Sequence, residues 1–242
     1  MITLRAILFD VDDTLYSTTQ FAALARTRSV QAMVDQGIDL PVETVSKELD
    51  EVIAEFTSNY SHHFDKLLLR LPPESWQVTN RALIVAAGVL AYHRTKNELT
   101  PFPDVLPFLQ KVHHRGMPIL GIVTHGLEMK QAEKLLLLGV TPYLHPDGIV
   151  ISDQVGIAKP NPKIYQRALD DLGLQAGETL YVGDNPLHDI DPPNSLGMIT
   201  ARIHRENRFE MVTGETMPDY EIHSLSELDE ILSRDFGFPA EG

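Results

Sequence analysis

Three acidic side chains crowd the end of the first apolar run, where Ile7-Leu8-Phe9 leads directly into Asp10-Val11-Asp12-Asp13-Thr14. Carboxylates this close repel one another unless a positive charge sits among them. In extended backbone, residues i and i+2 point the same way, so Asp10 and Asp12 can face one site just past a strand's C-terminal end. Such an acidic turn also serves as a helix start, with Asp or Thr as N-cap, and the segment alone leaves both readings open. A second run repeats the design: Thr179-Leu-Tyr-Val-Gly183 ends in Asp184, with Asp189 five residues on. Gly183 lets the backbone approach a ligand closely. Hard oxygen ligands with room for water are what Mg2+ prefers. A third run, Ile122-Val123, ends in Thr124-His125-Gly126. Its hydroxyl and a loop with free N–H groups before a helix suit a phosphate oxygen; a plain N-cap threonine is the alternative. The fourth segment, Gly156-Ile-Ala-Lys159-Pro160-Asn-Pro162, carries a lysine on a loop stiffened by two prolines. A fixed cation is what an acidic site needs. The set fits phosphoryl transfer, where catalysis is mainly positioning and charge neutralisation. A carboxylate among them can attack phosphorus to give an aspartyl-phosphate.

These residues need elements to position them. Ala6–Phe9 reads as a buried strand, short and apolar without alternation. From Ser17 to Thr100 the periodicity predicts only helices, over 20–36, 42–58, 63–71 and 74–99. The apolar stretch 83–91 in the last of these reads as a buried helix, too short for the ~20 residues of a membrane span. From Pro101 the rhythm alternates. Helices are expected over 104–114, 127–138, 162–172 and 225–232, with strands at 119–123, 148–151, 179–182, 198–201 and, at an edge, 220–222. The fold class expected is α/β, a doubly wound parallel sheet. The first crossover is far longer than one helix requires. The economical account is an all-helical domain, residues 17–100, inserted into a core of residues 1–16 and 101–242. The tail from Phe236 is expected to fray.

The bulk composition excludes several classes. There are 34 Asp and Glu against 20 Lys and Arg, a net charge of −14. Such a surface repels nucleic acid and anionic membrane, so neither is expected as a partner. With no cysteine, disulfides, thiolate metal sites and cysteine nucleophiles are out. A cytoplasmic location is compatible, and no secretory segment is read at the start. His62-His63 and His113-His114 are adjacent pairs that do not face one site on a helix, so no histidine metal centre is expected. No P-loop pattern occurs.

At this point the sequence resembles the haloacid dehalogenase superfamily of phosphohydrolases. It matches four motifs in order: Asp10-Val-Asp12-Asp-Thr14, Thr124, Lys159, and Gly183-Asp184 with Asp189. The helical insert falls where that family's small helical cap falls. Residues 58–71, Ser-Asn-Tyr-Ser-His-His-Phe-Asp-Lys-Leu-Leu-Leu-Arg-Leu, resemble archaeal-type members regarded as Mg2+-dependent phosphatases. The resemblance implies that Asp10 is the nucleophile and a metal ligand. Asp12 would protonate the leaving alcohol, then activate water, its backbone carbonyl also holding Mg2+. Thr124, with the loop of His125 and Gly126, would bind the transferring oxygens, and Lys159 would neutralise them and hold Asp10. Asp184 would bind Mg2+; Asp189 would bind it through water or orient Lys159. Two departures stand out. His125 occupies a position that is often Asn, and Pro192-Pro193 follow Asp189 where a Gly-Ala pair is usual. Two prolines suit only a helix's first turn.

The expected activity is hydrolysis of a small phosphomonoester, of the sugar or triose phosphate class. A 2-haloacid dehalogenase has no need of a second acid at Asp12. A phosphomutase would use the same motifs. A receiver domain switched by a phosphorylated aspartate would need neither the Gly183-Asp184 strand end nor the insert. Selectivity is expected from Tyr16, Asn59, Tyr60, His63 and Asp65, and a homodimer from the apolar fourth helix of the insert.

Overall fold

Six short apolar runs form one six-stranded sheet in the computed structural model, which describes residues 3–56, 60–205 and 209–238. The strands are β1 (Ala6–Phe9), β2 (Ile119–Thr124), β3 (Ile149–Ile151), β4 (Thr179–Gly183), β5 (Ile199–Ile203) and β6 (Tyr220–Ile222). Their spatial order is β3-β2-β1-β4-β5-β6, every neighbouring pair parallel. The order reverses at β1, so the crevice at its C-terminal end is the topological switch point where open α/β sheets place ligands. Phe9 pairs with Ile122 on one side and Val182 on the other. That register sends Asp10, Thr124 and Asp184 off the same edge. The Asp10 N–H still donates to the Val182 carbonyl at 2.9 Å. All four β1 side chains are fully buried, which is why the run shows no alternation. Each large apolar one contributes about 1.5–3 kcal/mol by leaving water.

The chain divides into two compact units, Met1–Thr18 with Thr100–Gly242, and Thr19–Leu99. The helices of the insert are α1 (Thr18–Asp35), α2 (Val42–Phe56), α3 (His63–Arg70) and α4 (Arg81–Lys96). They bury a core of their own around Val30, Met33, Val45, Leu49, Leu67, Leu68 and Ile84. The fourth helix differs from the expectation in two ways. Residues 74–99 do not form one helix: Pro73–Ser75 is a 3-10 turn, and α4 starts at Asn80, whose side chain accepts the Ala82 N–H at 2.9 Å. The aspargine cap defines the start that apolar periodicity alone missed. Nor is α4 a buried helix. It buries Ile84, Gly88 and Thr95, while Leu83 and Leu90 are 56% and 55% exposed; one stripe faces the core and the rest does not.

The sheet unit carries α5 (Val105–Arg115), α6 (Glu128–Leu137), the unforeseen short α7 (Ser152–Val155), α8 (Lys163–Leu172), α9 (Asp191–Leu196) and α10 (Leu225–Phe236). Its core includes Leu8, Val123, Val150, Ile164, Tyr165, Leu169 and Tyr181. Among the described residues no helix is long and apolar enough to cross a membrane. Asn59 and the tail beyond Phe238 lie outside the described residues.

Candidate active site

Lys159 is the hub at the end of β1. Its ammonium donates to Asp10 Oδ1 at 2.6 Å, Asp189 Oδ1 at 2.7 Å and the Tyr181 hydroxyl at 2.6 Å. An ammonium has three protons, and here three acceptors take them. Lys159 is 5% exposed, so it is no ordinary solvated lysine. The Tyr181 hydroxyl in turn donates to the Val123 carbonyl at 2.9 Å. It thereby links β4 and β2 beneath the site. Sequence reasoning passed over Tyr181, although a phenol inside a doubly buried strand must find a polar partner.

Asp189 reaches this hub because the backbone doubles back. Residues Pro186–Ile190 make a π-helical turn, and Pro192 and Pro193 then occupy the first turn of α9. The prolines that depart from the usual Gly-Ala pair are thus housed where their missing N–H groups are not needed. Asp189 Oδ2 accepts the Asn185 N–H at 3.1 Å, while the Asp189 N–H donates to the Asn185 carbonyl at 2.7 Å. Gly183 is required by close approach: a Cβ there would overlap the Asp189 side chain.

Asp10, Asp184 and Asp189 each offer an oxygen within 4.8 Å of the others. Burial pushes the Asp10 carboxyl up to about 7, Lys159 opposing and Asp189 and Asp12 adding to the rise. Burial, with Asp189, Asp10 and Asp13, pushes Asp184 up to about 9. Burial pulls Lys159 down, but Asp10 and Asp189 outweigh it and the ammonium is held above its usual range. Three buried carboxylates against one ammonium leave negative charge uncompensated. A divalent cation among them would reverse these upward shifts, and an all-oxygen donor set fits a hard ion. The cluster therefore suits a metal ion on its own chemistry.

The Asp12 carboxylate stands apart from that cluster. Lys134 reaches its Oδ1 at 2.6 Å and its Oδ2 at 2.9 Å, Gln131 its Oδ2 at 3.0 Å and the Tyr16 hydroxyl its Oδ1 at 2.5 Å. Burial raises its pKa, but Lys134 and the hydrogen bonds prevail and hold it below the usual carboxylate range. Asp13, at φ 57°, turns the chain, and its carboxylate accepts from the Thr18 N–H at 2.9 Å and the Thr18 hydroxyl. Thr124 is fully buried, and its hydroxyl has no hydrogen-bond partner among the described residues; the Thr14 hydroxyl is in the same position.

The loop after Thr124 corrects the expectation of free N–H groups at two positions. The Gly126 N–H donates to Ser152 Oγ at 2.9 Å and the Glu128 N–H to Asp153 Oδ2 at 3.0 Å. The unforeseen α7 thus supplies the acceptors. Gly126 adopts φ 146°, a conformation that favours glycine, with Gln131 packed against it. The His125 carbonyl accepts from Gln131 at 2.6 Å, and its side chain is exposed. Of the residues expected to confer selectivity, Tyr16 lies in the sheet unit, bound to Asp12. Within the helical unit Tyr60 stacks on Phe56 at 5.0 Å and meets His63 edge-on at 5.5 Å, while Asp65 pairs with Arg81 at 3.3 Å.

A family model described as haloacid dehalogenase-like hydrolase matches residues 4–197, from before β1 to the end of α9. The chain belongs to that family. As a member of the haloacid dehalogenase-like hydrolases, it is similar in sequence to two archaeal proteins along nearly its whole length. The glyceraldehyde 3-phosphate phosphatase of Methanopyrus kandleri is 42% identical over 234 residues, covering 95% of this chain and 97% of its own. That of Methanocaldococcus jannaschii is 36% identical over 234 residues, with the same coverage. Among solved structures, a HAD phosphatase from Thermococcus onnurineus superposes with a TM-score of 0.65 at 27% identity, covering 95% of this chain and 98% of that one. The four motifs all lie inside the matched segment.

Proposed function

We propose that this hydrolase is a Mg2+-dependent phosphatase of small phosphomonoesters, with a triose phosphate of the glyceraldehyde 3-phosphate type as its substrate. The observation that carries the reading is Lys159 bridging Asp10 and Asp189 at the end of β1. Lys159 holds Asp10 by Oδ1, so the other carboxylate oxygen attacks phosphorus. The P–O bond to the leaving alcohol breaks and an aspartyl-phosphate forms. Asp12, whose carboxyl Lys134 keeps ionised in the resting protein, takes up a proton as the negatively charged ester enters beside it and gives that proton to the leaving oxygen. It then takes one from the water that attacks phosphorus, releasing phosphate and restoring Asp10. General acid–base help of this type is worth roughly 10²–10⁴-fold. The unpartnered Thr124 hydroxyl supports a donor role toward a phosphoryl oxygen, as Lys159 supports neutralisation of its charge. Gly126, whose N–H is engaged by Ser152, and the exposed His125 would shape the loop around that oxygen. Asp10, Asp184, the Asp12 carbonyl and, directly or through water, Asp189 would hold the cation. When bound, it would offset the negative charge of the phosphoryl group and of these carboxylates.

The presence of Asp12 beside Asp10 supports ester hydrolysis over carbon–halogen cleavage. The helical unit is assigned the cap's task of selecting the ester, through Tyr60, His63 and Asp65 with Asn59. The triose class rests on the relatives' activity and on the polar Tyr60–His63 run. The exposed Leu83 and Leu90 of α4 support a homodimer, which light scattering tests. A cysteine-free chain suits the reducing cytoplasm.

The test is phosphate release from glyceraldehyde 3-phosphate and a panel of sugar phosphates and nucleotides, with Mg2+ and with chelator. Metal-dependent turnover led by the triose phosphate is expected. Turnover undiminished in chelator, or none on any phosphate ester, contradicts the reading.

A further inference from the structure

Asp12 is oriented by helix α6 rather than by its own turn. Gln131 and Lys134 are three residues apart on that helix and so stand side by side. Lys134 spans both oxygens of the carboxylate, Gln131 takes one, and the Tyr16 hydroxyl takes the other. The Lys134 ammonium also sits 5.7 Å from the centre of the Tyr16 ring, so these two groups that grip Asp12 brace each other. Gln131 has little freedom. The same amide nitrogen donates to the His125 carbonyl at 2.6 Å, and the side chain packs against Gly126.

This grip has a cost that ordinary packing does not explain. Gln131 is 2% exposed, and its Oε1 has no hydrogen-bond partner among the described residues. A buried acceptor without a donor is unfavourable, and apolar residues would fill the same face of α6 without that penalty. The fold accepts it and so keeps an N–H on Asp12 and on the loop after Thr124.

We propose that Lys134 and Gln131, with Tyr16, are positioning residues that set the Asp12 carboxylate for its proton transfers with the leaving oxygen and the attacking water. The proposal rests on the phosphatase reading and on the acid–base role given there to Asp12. Neither α6 residue is asked to touch the phosphoryl group.

The test exploits the leaving group. An alkyl phosphate must receive a proton as its alcohol departs, whereas p-nitrophenolate leaves without one. kcat/KM is measured on glyceraldehyde 3-phosphate and on p-nitrophenyl phosphate for wild type, Lys134→Met, Lys134→Arg and Gln131→Leu, with melting curves on each. Lys134→Met is expected to lower kcat/KM on the alkyl phosphate by roughly 10–100-fold, part of what acid–base catalysis supplies, and on the aryl phosphate far less. Gln131→Leu should show the same split, more weakly. Lys134→Arg should recover most of the loss, because a guanidinium also bridges two carboxylate oxygens. Equal losses on both substrates, or none on the alkyl phosphate in a folded Lys134→Met protein, overturn the proposal and leave the phosphatase reading intact. A wild type inactive on both substrates removes that reading, and the proposal with it.

Discussion

Replacing Asp10 by Asn should remove turnover and, without metal, make the protein more stable. Burial and neighbouring acids raise this carboxyl from 3.8 to about 7. At about 1.4 kcal/mol for each tenfold in acidity, that difference is about 4 kcal/mol against the ionised form. The sign follows from proton linkage. A carboxyl raised in the folded state keeps a proton that the unfolded chain has released, so stability declines as pH rises from about 4 to about 7, and the full cost applies above that. Asparagine is never ionised and avoids this cost. It keeps an oxygen for Lys159, whose pull on the ionised carboxylate is already contained in the value of about 7. The gain is therefore on the order of 4 kcal/mol at pH 8. For a chain of this size that is a rise of several degrees in Tm. The assay is thermal melting of wild type and Asp10→Asn in chelator at pH 5 and pH 8, then at pH 8 with Mg2+. The gain should be clear at pH 8 and small at pH 5. Mg2+ should narrow the gap by stabilising wild type more. A mutant less stable than wild type at pH 8 in chelator, or a gain independent of pH, would refute the reasoning that Asp10 is held at an electrostatic cost.

Two further perturbations probe the same cluster. Gly183→Ala places a methyl onto Asp189 and, through it, strains the bond to Lys159; a loss of about 1–3 kcal/mol from overpacking and a fall in kcat/KM of at least tenfold are expected, read by melting and steady-state kinetics. Since Asp10 is raised to about 7 and Asp184 to about 9, a cation must displace protons to bind at lower pH. The gain in Tm on exchanging chelator for Mg2+ should therefore grow between about pH 6 and pH 9, and a gain that is flat or falls over this range would count against a site built on these carboxylates.

The strand ends were legible because a parallel strand buried on both faces leaves a continuous apolar run, and the first polar residue after it marks the sheet edge. Asp10, Thr124 and Asp184 were found in that way. Lys159 needed more: nothing in a Lys-Pro dipeptide says that the lysine is buried, and its partners lie 149, 30 and 22 residues away in the chain. Asp189 was obscured by the two prolines after it, since a π-helical turn that reconciles them with a helix start carries no compositional mark. Tyr181 carries a signal, a hydroxyl inside an apolar strand that must find a polar partner when buried, but nothing in it names Lys159 as that partner. Gln131 and Lys134 looked like the polar face of an ordinary amphipathic helix; only tertiary packing reveals that Gln131 is buried. The fourth helix of the insert starts later than expected because Trp76 and Val78 carry apolar character back toward Glu74, whereas the Asn80 cap sets its start.

Asp10 itself is proposed to take the phosphoryl group. The most direct measurement is to quench the enzyme in acid during turnover of glyceraldehyde 3-phosphate, reduce it with borohydride and map the peptides by mass spectrometry. An acyl phosphate is reduced to an alcohol and a free carboxylate is not, so homoserine is expected at position 10 alone, appearing only with substrate and Mg2+. Active turnover with an unmodified Asp10, or homoserine at Asp12 or Asp184 instead, would contradict it.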